Sequence, residues 1–185
     1  DIVDNVSKPI IFVSYKKNAF EKENLLEAYA LDLFVEIMDG GYSSRLTKAL
    51  VERDKIALDV FISVDIYNKY SNLITVGGTS RGKVSIEDFK GNILSQFSED
   101  SINSITYDEL NSAKSRIKAK NIFKFDSVFY QGMQIGMLET KDISWKVLDQ
   151  YASDIQKINL DQVKSVAKKY FLTNDVLVTV LKPQK

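Results

Sequence analysis

Asp59 and Asp65, with Ser43 and Ser44, are the first places in this chain to look for bond-making chemistry. Paired carboxylates do acid and base work when they flank one bond closely. Asp59 and Asp65 share a face of an alternating segment but stand six residues apart, roughly 20 Å along an extended strand. They cannot act on one bond and read as solvated or interfacial groups. Ser43 and Ser44 need a general base to become nucleophiles. The chain has no histidine and no G-x-S-x-G pattern, so Ser-His-Asp chemistry is closed and the serines read as helix caps. Without histidine or cysteine, the imidazole and thiolate donors that zinc sites draw on are also missing. Carboxylates alone suit Mg²⁺, Mn²⁺ or Ca²⁺, but neither a calcium-loop pattern nor a tight acidic cluster stands out. No catalytic, cofactor-binding or metal-binding residue is expected on this chain.

Four side chains are candidates for binding instead. Arg45 and Arg53 fall in a short helical segment, where a guanidinium either grips a peptide carboxylate or carbonyl with forked donors or sits solvated on the helix surface. Phe61 and Tyr67 fall on the hairpin face that alternation turns away from the core, where they would meet solvent or substrate.

The elements that position these residues follow from periodicity and caps. Pro9 to Lys16 is β-branched and aromatic and predicts a mostly buried first strand. Lys22 to Met38 sets Leu26, Ala30, Leu33, Phe34 and Ile37 on one helical face, with Glu23, Glu27 and Glu36 largely elsewhere. It stops at Gly40-Gly41, where a glycine can close the helix in the left-handed conformation. Ser43 or Ser44 then caps a shorter helix through about Arg53. From Leu58 to Ile66 the period changes to two, with Leu58, Val60, Ile62, Val64 and Ile66 on the core face. A turn from Asn68 to Asn72 and a strand from Leu73 to Thr79, ending in Gly77-Gly78, complete a hairpin.

Helix starts then recur: Ser85 ahead of Ile86, Phe89, Ile93 and Phe97; the capping boxes Thr106/Glu109 and Asn159/Gln162; and Ser144 ahead of Trp145, Leu148, Ala152 and Ile155. Thr106 to about Leu138 lacks proline and reads as one long helix, or as two with a kink or restart at Phe125-Asp126. Within it Gly132 and Gly136 predict close packing of the helix on the sheet, with Met133 and Met137 as core filler. Val176 to Leu181 closes the chain as an apolar strand. Strands separated by helices, with a hairpin between, predict an α+β two-layer sandwich: a small, mostly antiparallel sheet with helices packed on one face.

At 185 residues, 44% hydrophobic and 27% charged, the chain is long enough for a single domain with a substantial core, spanning 1–185. Lys plus Arg and Asp plus Glu both number 25, and no basic run follows a phosphate backbone, so no nucleic-acid partner is expected. No apolar stretch approaches the roughly 18 residues of a membrane span. The start, Asp1-Ile2-Val3-Asp4, has neither an initiator Met nor a signal pattern, which predicts a soluble chain that is a fragment or a processed product. Absence of cysteine excludes disulfides and leaves the compartment open.

Read as text, Gly40-Gly41-Tyr42-Ser43-Ser44-Arg45-Leu46, then Val51-Glu52-Arg53 and Ile56-Ala57-Leu58-Asp59-Val60, resembles the Gly-Gly-Gly-x-Ser-Ser-Arg-Leu … Arg-Glu-Lys-Arg-Gly-Leu-Ala-Tyr-Ser-Val stretch of the pitrilysin/insulinase family, which includes the mitochondrial processing peptidase. Ile105 to Leu110 with Ala113-Lys114, and Asn159 to Val163 with Ala167 to Phe171, resemble two helices further along that family. The resemblance covers about Pro9 to Pro183 with its segments in order.

The resemblance implies a clamshell of two similar halves, whose N-terminal half carries an inverted zinc motif, H-x-x-E-H, on a helix. The matching helix here offers Leu33-Phe34-Val35-Glu36 and no His, so this chain looks like the second, non-catalytic half of a zinc endopeptidase, similar to the processing peptidase. The implied partners are an N-terminal catalytic domain of the same polypeptide or a paired subunit, which holds the zinc, and an unfolded peptide substrate. By itself the chain is not expected to be an enzyme. Many relatives also supply from this half an Arg and, seven residues on, a Tyr that hydrogen-bond substrate; the matching positions here are Val51 and Leu58, and neither side chain can donate. That fits a half that borrows these groups from a partner, or a structural or assembly subunit without proteolysis. Bacterial relatives of this type look exported, which favours the periplasm or cell envelope.

Overall fold

In the computed structural model, which describes residues 1–82, 84–125 and 127–184, the middle of the sheet is strand β2 (Ile10–Lys17), a position hidden between neighbours on both edges. Every second residue of this stretch, Ile11, Val13 and Tyr15, is apolar and fully buried. With β1 (Ile2–Asp4), β3 (Ala57–Ser63), β4 (Asn72–Ser80) and β5 (Val176–Pro183), the sheet order is β1-β5-β2-β4-β3. Pairs are antiparallel, with Val13 opposite Val76 on one side and Val178 on the other, except that β1 runs parallel to β5. Three residues are too few for alternation to reveal β1, so the sequence reading does not contain it.

Seven α-helices among the described residues make the second layer: α1 (Leu25–Asp39), α2 (Ile86–Ser95), α3 (Glu99–Asn103), α4 (Tyr107–Phe125), α5 (Val128–Glu139), α6 (Val147–Lys157) and α7 (Leu160–Phe171). Helix α1 lies at the centre against α7, α4 and α6. Between the layers Phe171 packs on Phe97, stacked at 4.7 Å between ring centres, on Tyr15 at 4.8 Å and on Phe34 at 5.0 Å. Each such ring, hidden from water, contributes about 2 to 3 kcal/mol of hydrophobic stabilisation. Burial pushes the Tyr15 phenol up to about 12. The result is the two-layer α+β architecture predicted, with a mostly antiparallel sheet.

Caps predicted from spacing form. The Asp88 amide donates to Ser85 Oγ at 3.0 Å. Thr106 and Glu109 exchange hydrogen bonds at 2.9 and 3.3 Å, and Asn159 and Gln162 at 2.8 and 2.9 Å. The long stretch from Thr106 divides: α4 ends at Phe125 and α5 begins at Val128, its Tyr130 amide donating to Ser127 Oγ at 3.2 Å. Of the predicted break, Asp126 lies outside the described residues.

Other expectations are corrected. Helix α5 does not press Gly132 and Gly136 on the sheet; nothing comes within 4 Å of where their side chains would be, and Met133 and Met137 stay exposed beside Val128 and Phe129. An apolar stripe at i, i+4, i+8 has the same spacing whether it faces in or out. Leu26 is exposed in the first turn of α1, and Trp145 precedes α6, which starts at Val147. Thr47–Arg53 winds as a π-helix, its end marked by the Asp54 amide reaching Ala49 O at 2.9 Å, and Ser44 Oγ bonds Thr47 Oγ1 at 3.2 Å rather than an amide. Gly41, at φ +127°, makes the turn ahead of it. Strand β3 ends at Ser63, short of Asp65 and Ile66, and a bulge between Ala57 and Asp59 breaks the alternation so that Leu58 is exposed.

Candidate functional site

The helices cover one face of the sheet; the other face is where alternate side chains of β5, β2, β4 and β3 stand without a layer over them. Register sets these into rows. Across the middle run Phe61, Gly77, Phe12 and Thr179; beside it run Ser63, Thr75, Ser14 and Leu177; on the far side run Asp59, Thr79, Ile10 and Leu181. None belongs to the buried clusters beneath the helices.

Phe61 organises this face. It sits on the edge strand and its ring lies over Gly77, so close that a β-carbon there would stand 2.3 Å from the ring. Only glycine leaves that space. The ring then meets Phe12 edge on, 6.1 Å between centres, and the two make an aromatic platform across three strands. Next to it Ser14 and Thr75 share a hydroxyl hydrogen bond at 3.1 Å, and Thr79 donates to Asp59 Oδ1 at 3.3 Å. In these rows Asp59 is the one charged side chain, with Lys16 beyond them at the far end of β2. Chemically the surface offers stacking, apolar contact and neutral hydrogen bonding.

The other sequence candidates lie elsewhere. Arg45 projects from just ahead of the π-helical segment into the α3–α4 corner and uses five hydrogen bonds: 2.6 and 2.8 Å to the two Glu109 oxygens, and 2.9 Å each to Ser101 O, Ser104 Oγ and Ser104 O. Burial alone would raise the Glu109 carboxyl, but the hydrogen bonds from Arg45 and Thr106 outweigh it and hold it below the usual range. Arg53 is exposed and paired with its neighbour Asp54 at 2.7 Å. The two arginines border one shallow groove, of about 530 Å³, that neither Phe61 nor Tyr67 lines.

Tyr67 lies past the end of β3 and turns toward the helices, where its hydroxyl donates to Tyr29 Oη at 3.3 Å and Tyr29 in turn donates to Val147 O at 3.2 Å. Tyr151 donates to the Asp32 carboxylate alongside. Burial raises the Tyr67 and Tyr151 phenols far above their ordinary value. So the structure does not bring Tyr67 and Phe61 together. Val51 packs against the core, and Leu58 is exposed at the bulge of the edge strand.

Two buried charges escape the sequence reading. Glu36 is 8% exposed, roofed by α4: Arg116 Nε donates to it at 2.8 Å, Lys120 Nζ at 2.6 Å, and Arg116 Nη2 takes its backbone carbonyl at 2.9 Å. The signal was a cationic pair at i and i+4 in α4, which periodicity alone assigns to solvent. Lys17 is 3% exposed and donates to Asn18 O at 3.2 Å, Ile66 O at 3.4 Å and the Asn68 side chain, which ties the hairpin turn to the end of β2. Burial lowers its ammonium pKa, against the opposing charges of Asp65 and Glu27.

Among the described residues no three Asp or Glu side chains come together as a metal site. With no imidazole or thiolate in the chain, its own donor set does not fit zinc, which the resemblance assigns to the other half.

Comparison with known proteins agrees with the architecture. The zinc protease YmxG of Bacillus subtilis strain 168, itself uncharacterised, is 24% identical over 155 residues, covering 84% of this chain and 37% of that protein. A protease from Helicobacter pylori superposes with TM-score 0.87 at 20% identity, over 98% of this chain and 43% of its own. The inactive peptidase domain of a Bordetella parapertussis protein superposes with TM-score 0.83 at 18% identity, over 100% of this chain and 95% of its own. This chain thus spans well under half the length of YmxG and of the Helicobacter protease, and nearly the whole of a solved inactive domain. The sequence profile of the peptidase M16 inactive domain matches residues 2–117, more than half of the chain. With that profile matched over more than half of its length, the chain belongs to the peptidase M16 inactive-domain family.

Proposed function

We propose that this chain is the non-catalytic half of a zinc-dependent endopeptidase and that its uncovered sheet face forms part of the wall enclosing an extended peptide. The zinc belongs to another domain of the same polypeptide or to a paired subunit, where histidines can hold it. The observation that carries this reading is the open face: rows of hydroxyl and apolar side chains, charged only at Asp59 on the edge, opposite the helical layer and organised by Phe61 over Gly77. Extended peptides present stacking and hydrogen-bonding groups in alternation, which such a face can meet. Arg45 and Arg53 hold the corner of the fold and a surface pair in this reading. A location in the periplasm or cell envelope, implied by the resemblance, is part of the proposal.

The test compares the chain with the complete protein that carries it. Given Zn²⁺ and unfolded peptides, the chain alone shows no chelator-sensitive cleavage, whereas the complete protein does and loses activity when Phe61 is replaced by a charged residue. Turnover by the chain alone that a chelator removes would overturn the assignment.

A second reading is supported by Val51 and Leu58, which stand where many relatives place donors toward substrate. There the chain serves assembly rather than proteolysis. A complete protein that is folded and holds its partner, yet has no chelator-sensitive turnover, would favour it.

A further inference from the structure

We infer that the uncovered sheet face selects extended peptide segments that are uncharged and that direct aromatic or aliphatic side chains, at alternate positions, onto the Phe12–Phe61 platform. This names a substrate class and rests on the enclosing-wall reading above. Charge carries the argument. Asp59 lies at the edge and already accepts from Thr79, and Lys16 lies at the opposite end, so the centre of the face offers no counter-charge. A carboxylate or ammonium laid there loses water and gains only hydroxyls, while an apolar side chain loses nothing.

Geometry fixes the seat. Because Gly77 has no side chain, the Phe61 ring lies flat enough on the sheet to meet Phe12, with Ile10 in the next row. Successive side chains of an extended peptide point to opposite sides, so residues two apart can fall on the platform and on the neighbouring Leu177 row. Thr75 stands in that same row, half-buried, and its hydroxyl, paired with the buried Ser14 Oγ at 3.1 Å, is the one placed to meet peptide amides and carbonyls.

The experiment uses the chain of residues 1–185 and three capped heptapeptides that differ only at three alternate positions, occupied by Phe and Leu, by Glu, or by Lys. Binding is read from amide shifts by NMR. The neutral peptide is expected to bind at least about tenfold more tightly than either charged one, with shifts centred on Gly77 and Thr75. Phe61→Ala should weaken it by about tenfold. Thr75→Lys, which places a cation at the centre of the face, should turn the preference toward the Glu peptide; this second variant serves if Phe61→Ala folds poorly. Equal affinity for all three peptides, or a preference that Thr75→Lys leaves unmoved, overturns the selectivity while the wall reading stands. If no peptide shifts these residues, both fall.

Discussion

Arg45 and Glu109 lie 64 residues apart in sequence, yet the guanidinium of one takes both carboxylate oxygens of the other, at 2.6 and 2.8 Å. Glu109 at the same time accepts the Thr106 amide at 2.9 Å, so one carboxylate caps the start of α4 and anchors the segment leading into the π-helix to it. Forked, charge-assisted pairs of this kind are among the stronger polar contacts in proteins.

Arg45→Ala should therefore destabilise the fold by about 2 kcal/mol, since it strands a half-buried carboxylate and two backbone carbonyls. Arg45→Lys should recover only part, because an ammonium cannot fork. Urea denaturation measures both. Peptide shifts at Gly77 should be unchanged, and a loss of peptide binding in Arg45→Lys with the fold intact would give this arginine a role beyond structure.

Acid should act through the same carboxylate. Glu109 is held below the usual range, as is Glu27, whose burial is outweighed by Lys169 and Tyr170. A depressed folded pKa gives stability that is present above the unfolded value, about 4.3, and is lost as pH falls through the folded one. Asp39 works in the opposite sense: burial first, then the Glu36 charge, raise it despite the Ile62 amide and Lys120, so its protonation on acidification favours the fold. Melting temperature should be nearly level from pH 7 to about pH 5 and fall below that, and Glu109→Gln should make the acid limb shallower.

The Glu36 network predicts an ordering. Arg116→Ala removes the guanidinium that holds both one oxygen of the nearly hidden Glu36 carboxylate and the Glu36 backbone carbonyl, and should cost about 2 to 3 kcal/mol. Lys120 is half exposed, and Lys120→Ala should cost about 0.5 to 1 kcal/mol. Equal losses in chemical denaturation would show that the two cations are interchangeable.

Gly77 and Phe61 should be coupled. Gly77→Ala drives the Phe61 ring off the sheet and should cost about 2 kcal/mol. In a Phe61→Ala background the added methyl has room, so the same change should cost at least about 1 kcal/mol less. A double-mutant cycle with no coupling would contradict the close approach.

Much of the fold was legible because its signals are local. Capping boxes at Thr106 and Asn159 and the apolar faces of α1 and α7 each lie within a few residues, and each formed; the alternation read from Leu58 to Ile66 also marks a strand, though the strand ends at Ser63 and Leu58 is exposed. What escaped is set by distance or by facing. Nothing within reach of Arg45 in sequence announces Glu109. Tyr67 follows the alternation of the hairpin on paper, but the strand ends at Ser63 and the chain bends toward Tyr29. Helix α5 carries an apolar stripe that looks like core, yet Phe129, Met133 and Met137 stand exposed. Of the binding candidates, Phe61 stands on the open face, while the value of Gly77 and Phe12 needed the register, which pairs residues 16 and 65 positions apart.

Where β3 reaches the rim of the sheet, the outward amide of Ile62 donates to Asp39 Oδ2 at 2.8 Å. That amide is one a foreign strand would plug into, and a carboxylate already fills it. At this point the rim is guarded against edge-to-edge pairing, and replacing Asp39 should make concentrated preparations more prone to fibrils seeded along β3.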